Sequence, residues 1–209
     1  RLTRQPGRAF AAVIGISVGM GLSVSMLGVL NGFDRTIDLN FTVIDRSDAT
    51  VSFVEPLGEK TLLELKRMAG VIEVEPFREV AVILRNGRKI HRGSVSGLVA
   101  EPQLNRAMTA DVTPIFIRDD GIILAQSLAK KLSISPGETL QVEVREGRRP
   151  TLEVPVVGIA QTLLGAPAYM ELTTLNTALE EPGRVSGAYL RLDEARSTEL
   201  YEALKDMPA

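Results

Sequence analysis

From Ala9 to Phe33 the chain runs 25 residues without a charged side chain. As an α-helix rising about 1.5 Å per residue, that run extends roughly 37 Å, more than the roughly 30 Å of hydrocarbon in a bilayer. Arg1, Arg4 and Arg8 precede it, and the next basic residue is Arg35. This asymmetry predicts a cytoplasmic N-terminus, with everything after Asp34 on the far side of the membrane. A cleaved signal has a shorter apolar core and a small-residue cleavage site, whereas this run continues into Asn31-Gly32-Phe33-Asp34. A buried core helix of this length without one charge is unusual. Residues 1–47 therefore read as a cytoplasmic lead, a membrane helix over about 9–33, and a helical stalk with Ile37, Phe41 and Ile44 on one side.

The span holds five glycines, and two pairs, Gly15/Gly19 and Gly28/Gly32, have GxxxG spacing. Residues four apart share a helix face, where a neighbouring backbone can approach closely. Gly15, Gly19, Gly28 and Gly32 are thus candidate helix-packing positions; the competing reading is that glycine is simply frequent in membrane helices. Gly15-Ile16-Ser17-Val18-Gly19 also fits the GxSxG nucleophile pattern. That pattern needs a strand-turn-helix context and a histidine partner, and here the serine lies inside an apolar helix.

Composition excludes several chemistries. The sequence has no cysteine, so disulfides, thiolate zinc sites and cysteine nucleophiles are out. Its one histidine, His91, cannot build a histidine-rich metal site. The absence of tryptophan and the near-neutral charge leave no footprint for nucleic acid. Without the three leading arginines, residues 34–209 carry 21 basic and 26 acidic side chains, a mildly acidic soluble domain. The chain begins at Arg1 rather than methionine, which suggests an excerpt or a processed product.

Beyond the stalk the pattern changes. Residues 49–55 alternate and are rich in β-branched side chains, predicting a strand; Pro56-Leu57-Gly58 reads as a break. Residues 59–68 carry Leu62 and Leu65 at helical spacing, Gly70 is a stop, and Val71–Val74 resumes strand, giving a βαβ unit. Asn86-Gly87 between strands 80–84 and 88–97 is a strong hairpin signal. Residues 98–120 read as loop with short pieces. A strand at 121–124, a helix at 125–132, a second hairpin from 139–145 and 152–159, and a helix at 172–179 follow. Strand 185–192 and an amphipathic helix over 194–207 close the chain. That last helix, Glu199–Met207, resembles Leu62–Ala69, and each follows a strand. The fold class expected is therefore α+β: a membrane helix with stalk, then two related βαβ halves at 48–97 and 160–209, with a β-rich insertion at 98–159. On this reading the second half ends before its last strand.

No catalytic constellation stands out. Ser127-Leu128-Ala129-Lys130 matches SxxK, in which lysine could activate serine, but the SDN-like and KTG-like partner segments do not occur. Asp111 and the Asp119-Asp120 pair lack the closely spaced oxygens of a calcium site and read as solvated turns. His91, between Lys89 and Arg92, has no evident acid–base partner. Lys130-Lys131 and Arg148-Arg149 read as solvated charge, and no Walker motif for ATP is present. We expect no cofactor and no catalytic or metal-binding residue.

Several segments resemble the FtsX-like permeases. Arg4-Gln5-Pro6-Gly7-Arg8 before a glycine-rich span is similar to their first helix. Leu65-Lys66-Arg67-Met68-Ala69-Gly70-Val71-Ile72-Glu73-Val74-Glu75-Pro76 resembles their helix-to-strand step. Gly121–Thr139 resembles their LAxxL block ending in Gly-Asp/Glu-Thr, and Val156-Val157-Gly158-Ile159 and Leu172–Asn176 continue the likeness. The resemblance covers essentially the whole chain and implies a MacB-like periplasmic core on the permease subunit of an ABC system in a bacterial inner membrane. It further implies a porter-like part of βαβ units, a separate or fused ATPase, pairing of two permeases, and stalks that carry ATP-driven motion to the periplasmic side. A periplasmic or outer-membrane partner is compatible with it; nucleic acid is not expected. Two other readings remain on sequence grounds: the periplasmic sensor of a membrane-bound signalling receptor, and a membrane-anchored periplasmic enzyme.

Overall fold

A computed structural model describes residues 6–39, 46–108, 113–161 and 167–193. Two compact units emerge, Arg1–Phe41 and Thr42–Ala209. The first is built on one helix, α1 (Pro6–Leu39). Its 34 residues correspond to roughly 50 Å of helix, and its stretch Val13–Phe33 is long and apolar enough to cross a membrane. The helix continues past the expected span into the stalk as far as Leu39; the part of the stalk at 40–45 lies outside the described residues.

The second unit contains β1 (Ala49–Gly58), α2 (Lys60–Arg67), β2 (Val71–Asn86), β3 (Lys89–Leu98), β4 (Ile122–Ala125) and α3 (Gln126–Leu132). These are followed by β5 (Thr139–Val144), β6 (Thr151–Ala160), β7 (Ala168–Glu171), α4 (Leu172–Ala178) and β8 (Arg184–Leu192). The strands pair in the order β1-β8-β2-β3-β7-β4-β6-β5, and β5 also pairs with β2. That last pairing closes β2, β3, β7, β4, β6 and β5 into a six-stranded barrel. Closure hides the strand edges that an open sheet exposes. Val80, Val82, Leu84, Val95, Leu124 and Val142 are buried in its core with Leu128 and Leu132 of α3 and Leu175 of α4.

The remaining strands form a three-stranded antiparallel layer. β8 lies between β1 and β2, which are joined by α2 and run parallel to each other. Leu65 of α2 packs on Ala188 and Leu190 of β8. β2 belongs to both layers: residues 71–77 pair with β8, and residues 78–86 pair with β3.

Several local expectations are corrected. Pro56-Leu57-Gly58 does not end β1; the strand runs to Gly58, with its register to β8 shifted between Ser52 and Leu57. A bulge of this kind absorbs a proline that a regular ladder cannot use. The segments 71–74 and 80–84 are one 16-residue strand, because Pro76 and its neighbours still pair with β8. β7 was not anticipated: four residues are too few to show a period. Residues 78–97 and 167–178, expected with the βαβ halves, are hydrogen-bonded or packed with the strands of the β-rich part. The expected helix at 194–207 lies outside the described residues.

The hairpin after β2 forms where Asn86-Gly87 stands, with an unexpected division of labour. Asn86 pairs with Lys89, so the two loop residues are Gly87 and Arg88, and Gly87 supplies the positive φ of 57°. The Asn86 side chain instead donates to the carbonyls of Leu132 and Ser133 at 3.1 and 3.2 Å, satisfying the C-terminal end of α3.

Candidate functional site

The proposed packing glycines all lie on α1. An added Cβ at Gly15, Gly19, Gly28 or Gly32 meets no atom within 4 Å. Ser23 Oγ donates to the Gly19 carbonyl at 3.0 Å, and Ser25 Oγ to the Gly21 carbonyl at 2.8 Å. Each hydroxyl is thereby satisfied within an apolar helix at no cost in unpaired polar groups.

The most distinctive polar arrangement of the second unit sits where β2 passes from the three-stranded layer into the barrel. Arg78 is 2% exposed there. Its Nη2 donates to Glu146 Oε1 at 2.9 Å and to Glu181 Oε2 at 3.0 Å, and Nη1 approaches Ser186 Oγ at 3.4 Å. Glu146 comes from the β5–β6 loop and Glu181 from the loop between α4 and β8. One guanidinium therefore ties three chain segments together across the junction. Ser186 Oγ accepts from the Glu79 N–H at 3.0 Å and donates to the Glu79 carbonyl at 3.2 Å, which pins β8 to β2 at the same level. Gly97, opposite Arg78 on β3, leaves the space: a Cβ there falls 2.8 Å from Leu175 and 3.3 Å from Arg78 Cβ. A cleft of about 480 Å³ opens beside the cluster, lined also by Glu55 and Arg184. Arg184 in turn donates to the Pro56 carbonyl at 2.7 Å.

A second buried charge lies three residues earlier. Glu75 is 5% exposed, and its Oε2 accepts from the N–H groups of Gln103 and Leu104 at 2.6 and 3.1 Å. It thereby fixes the long segment between β3 and β4. The Leu104 carbonyl accepts from the Arg46 N–H at 2.7 Å. Two residues on, Asp48 donates its N–H to the Leu190 carbonyl at 2.9 Å, and its Oδ2 accepts from the Leu192 N–H at 2.7 Å. The chain is thus bonded to two parts of the unit as soon as the described residues resume after α1. Sequence reasoning missed Arg78 and Glu75, because only the pairing of β2 with two different layers buries them.

The residues considered for chemistry are dispersed. Ser127 and Lys130 are both exposed on α3. Asp120 forms a surface fork with Arg118, Nε to Oδ1 at 3.0 Å and Nη2 to Oδ2 at 2.5 Å, and this partner raises the Arg118 pKa. Asp111 lies outside the described residues. His91 Nδ1 is 3.1 Å from Lys131 Nζ; burial first and the Lys131 charge second lower its pKa. Arg148 pairs with Glu180 on the surface. Among the described residues no group of three or more acidic or histidine side chains is placed to hold a metal. An open groove of about 720 Å³ runs between α4 and residues 117–119. Glu171 at its edge accepts from the Thr174 N–H at 2.6 Å and caps α4; burial raises its pKa, but the amides of Thr173 and Thr174 outweigh that and lower it overall.

Comparison with known proteins identifies the family. The model of the MacB-like periplasmic core domain matches residues 9–206. The chain belongs to that family, and with it to the ABC-type transporter permeases of the MacB/FtsX kind, whose permease-type members are not themselves catalysts. The lipoprotein-releasing system transmembrane protein LolE of Haemophilus influenzae is 22% identical over 94% of this chain; the chain spans about half of that relative's length, 53%. The extracellular domain of the noncanonic ABC-type transporter YknZ from Gram-positive bacteria has a similar fold, with a TM-score of 0.51, 17% identity, and coverage of 69% of this chain and 78% of that one. The periplasmic region of MacB from Actinobacillus actinomycetemcomitans gives a TM-score of 0.47 at 15% identity, covering 74% of this chain and 72% of that one.

Proposed function

We propose that this chain is the first membrane helix and periplasmic domain of an ABC-transporter permease of the FtsX/MacB/lipoprotein-release type. In this reading α1 crosses the inner membrane with its N-terminus in the cytoplasm, and the domain works on the periplasmic side as a moving part. The permease pairs with a second copy or a homologous permease and with an ATPase subunit or domain that hydrolyses ATP in the cytoplasm. Gly15, Gly19, Gly28 and Gly32 pack against other helices of the assembly. The three-stranded layer is the porter-like part, and the barrel is the inserted part. The domain itself carries out no chemistry, and its motion serves export, extraction or signalling at the periplasmic face.

The observation that carries this reading is the bonding of Arg46 and Asp48. Displacement of the chain at that point pulls on Leu104 and on Leu190–Leu192 together, through short hydrogen bonds. Arg78 then couples the porter-like layer to the barrel. Packed elements with buried ion pairs shift as units rather than deform continuously.

The test uses the parent permease with its ATPase in lipid nanodiscs. Amide exchange in β1 and β8 is compared with and without trapped nucleotide. Exchange changes with nucleotide in the intact protein, and a flexible Gly-Ser segment inserted immediately before Arg46 abolishes the change while ATP hydrolysis continues. Identical exchange in all nucleotide states overturns the proposal.

A further inference from the structure

The hairpin between β2 and β3 carries an unusual concentration of one charge. Arg88, Lys89 and Arg92 are exposed along it, and Lys130 and Lys131 are exposed at the end of α3 beside it. Lys131 Nζ reaches His91 Nδ1 and Lys89 Nζ hydrogen-bonds Ser133 Oγ, which fixes the two groups of cations together. Asn86 locks the same two elements through the α3 carbonyls. None of the five cations forms an ion pair with a described residue. Glu143 pairs instead with Arg85 at 2.8 Å, and Glu138 accepts from the Ser135 N–H at 2.6 Å. Ile90 stands among these cations, 45% exposed. All this lies in a domain whose overall charge is acidic.

The position of the patch narrows its partner. Val71, at the start of β2, pairs with Leu192, close to where Asp48 bonds Leu190 and Leu192. The basic hairpin is at the other end of the same strand. Sixteen residues of strand reach up to about 50 Å, so the patch is held far, within the domain, from the residues by which the chain enters it. Arginine forks with an apolar residue among them match carboxylates on a protein surface.

We infer that this basic tip, formed by Arg88, Lys89, Arg92, Lys130 and Lys131 around Ile90, docks an acidic protein partner through that partner's carboxylates. The rigid hairpin presents the guanidinium groups, and Ile90 supplies the apolar contact at the centre. The inference does not depend on the transporter reading, and its test measures binding without ATP.

The full chain in phosphatidylcholine nanodiscs is titrated with a fluorescent deca-glutamate peptide and, separately, with vesicles rich in phosphatidylglycerol. R88E/R92E/K130E weakens peptide binding by roughly ten-fold or more, because three cations that face the peptide become anions. K60E/K66E/R67E, the same charge change on α2, alters it by less than about two-fold, because exposed charges act locally at physiological salt. R88K/R92K, which keeps the charge but loses the guanidinium forks, binds more tightly than the charge reversal, and an unchanged far-UV circular-dichroism melt shows that the tip variants fold. The inference is overturned if the wild-type chain does not bind the peptide, or if both reversals weaken it equally. It is also overturned if the tip variant loses only vesicle binding, which makes the partner a lipid.

Discussion

Arg78→Met removes one charge and keeps most of the buried stem. It leaves Glu146 and Glu181 facing each other across the junction with no cation between them. Breaking a fully buried pair from one side costs about 3–5 kcal/mol. Here the arginine is 2% exposed but its partners are 36% and 30% exposed, so water recovers part of the loss. A cost of about 2–3 kcal/mol follows. For a unit of this size each kcal/mol moves the melting temperature by roughly 2–4 °C, so R78M melts roughly 5–10 °C lower. Urea unfolding of the chain in detergent, followed by the sheet signal in far-UV circular dichroism, measures the difference. The triple variant R78M/E146Q/E181Q tests the cause. If stranded carboxylates make up the cost, neutralising them restores stability to within about 1 kcal/mol of the original. The reasoning fails if R78M is neutral, or if the triple variant is no more stable than the single one.

Other outcomes follow from the same geometry. His91 is the only histidine, so one ring resonance reports its titration. Its pKa lies below 6.5 because of burial and Lys131; the folded state therefore binds the proton less readily than the unfolded chain, and the stability present above pH 6.5 declines as pH falls through the lowered value. K131M raises that midpoint toward 6.5, and an unchanged midpoint contradicts the assignment. Burial chiefly, and the charge of Glu79 second, push the Tyr169 phenol up to about 12. Folded protein thus keeps this proton where unfolded chain releases it, and stability falls as pH rises from about 10 towards 12; phenolate absorbance shows a last step that Y169F removes. At Gly187 a Cβ lies 2.2 Å from the Val51 carbonyl oxygen and 2.7 Å from Phe77 Cζ. G187A costs about 1–3 kcal/mol and speeds amide exchange in β1, and normal exchange there refutes the overlap.

Most of the strands and helices, the two hairpins and the membrane-length helix are readable in the amino-acid sequence because each is a local property. Hydrophobic period, turn residues and an uncharged run act over a few residues to a few tens. The likeness to FtsX-like permeases was readable for the same reason: it rests on short ordered segments, and the family match over 9–206 bears it out. The limits of locality explain the errors. Pro56 reads as a break until β8 lies alongside and accommodates a shifted register. Pro76 separates two strands on paper, yet β2 runs through it because both ends find partners.

Tertiary structure alone decided that β5 returns to β2 and closes a barrel, since a pairing between residues about 60 apart leaves no local trace. It also decided that Arg78 and Glu75 are buried. Both sit on a strand whose neighbours change from one layer to the next, and burial follows from those neighbours. Glu146 and Glu181 lie 68 and 103 residues from Arg78. Electrostatic pairing depends on distance in space, and only folding brings these charges within hydrogen-bond reach.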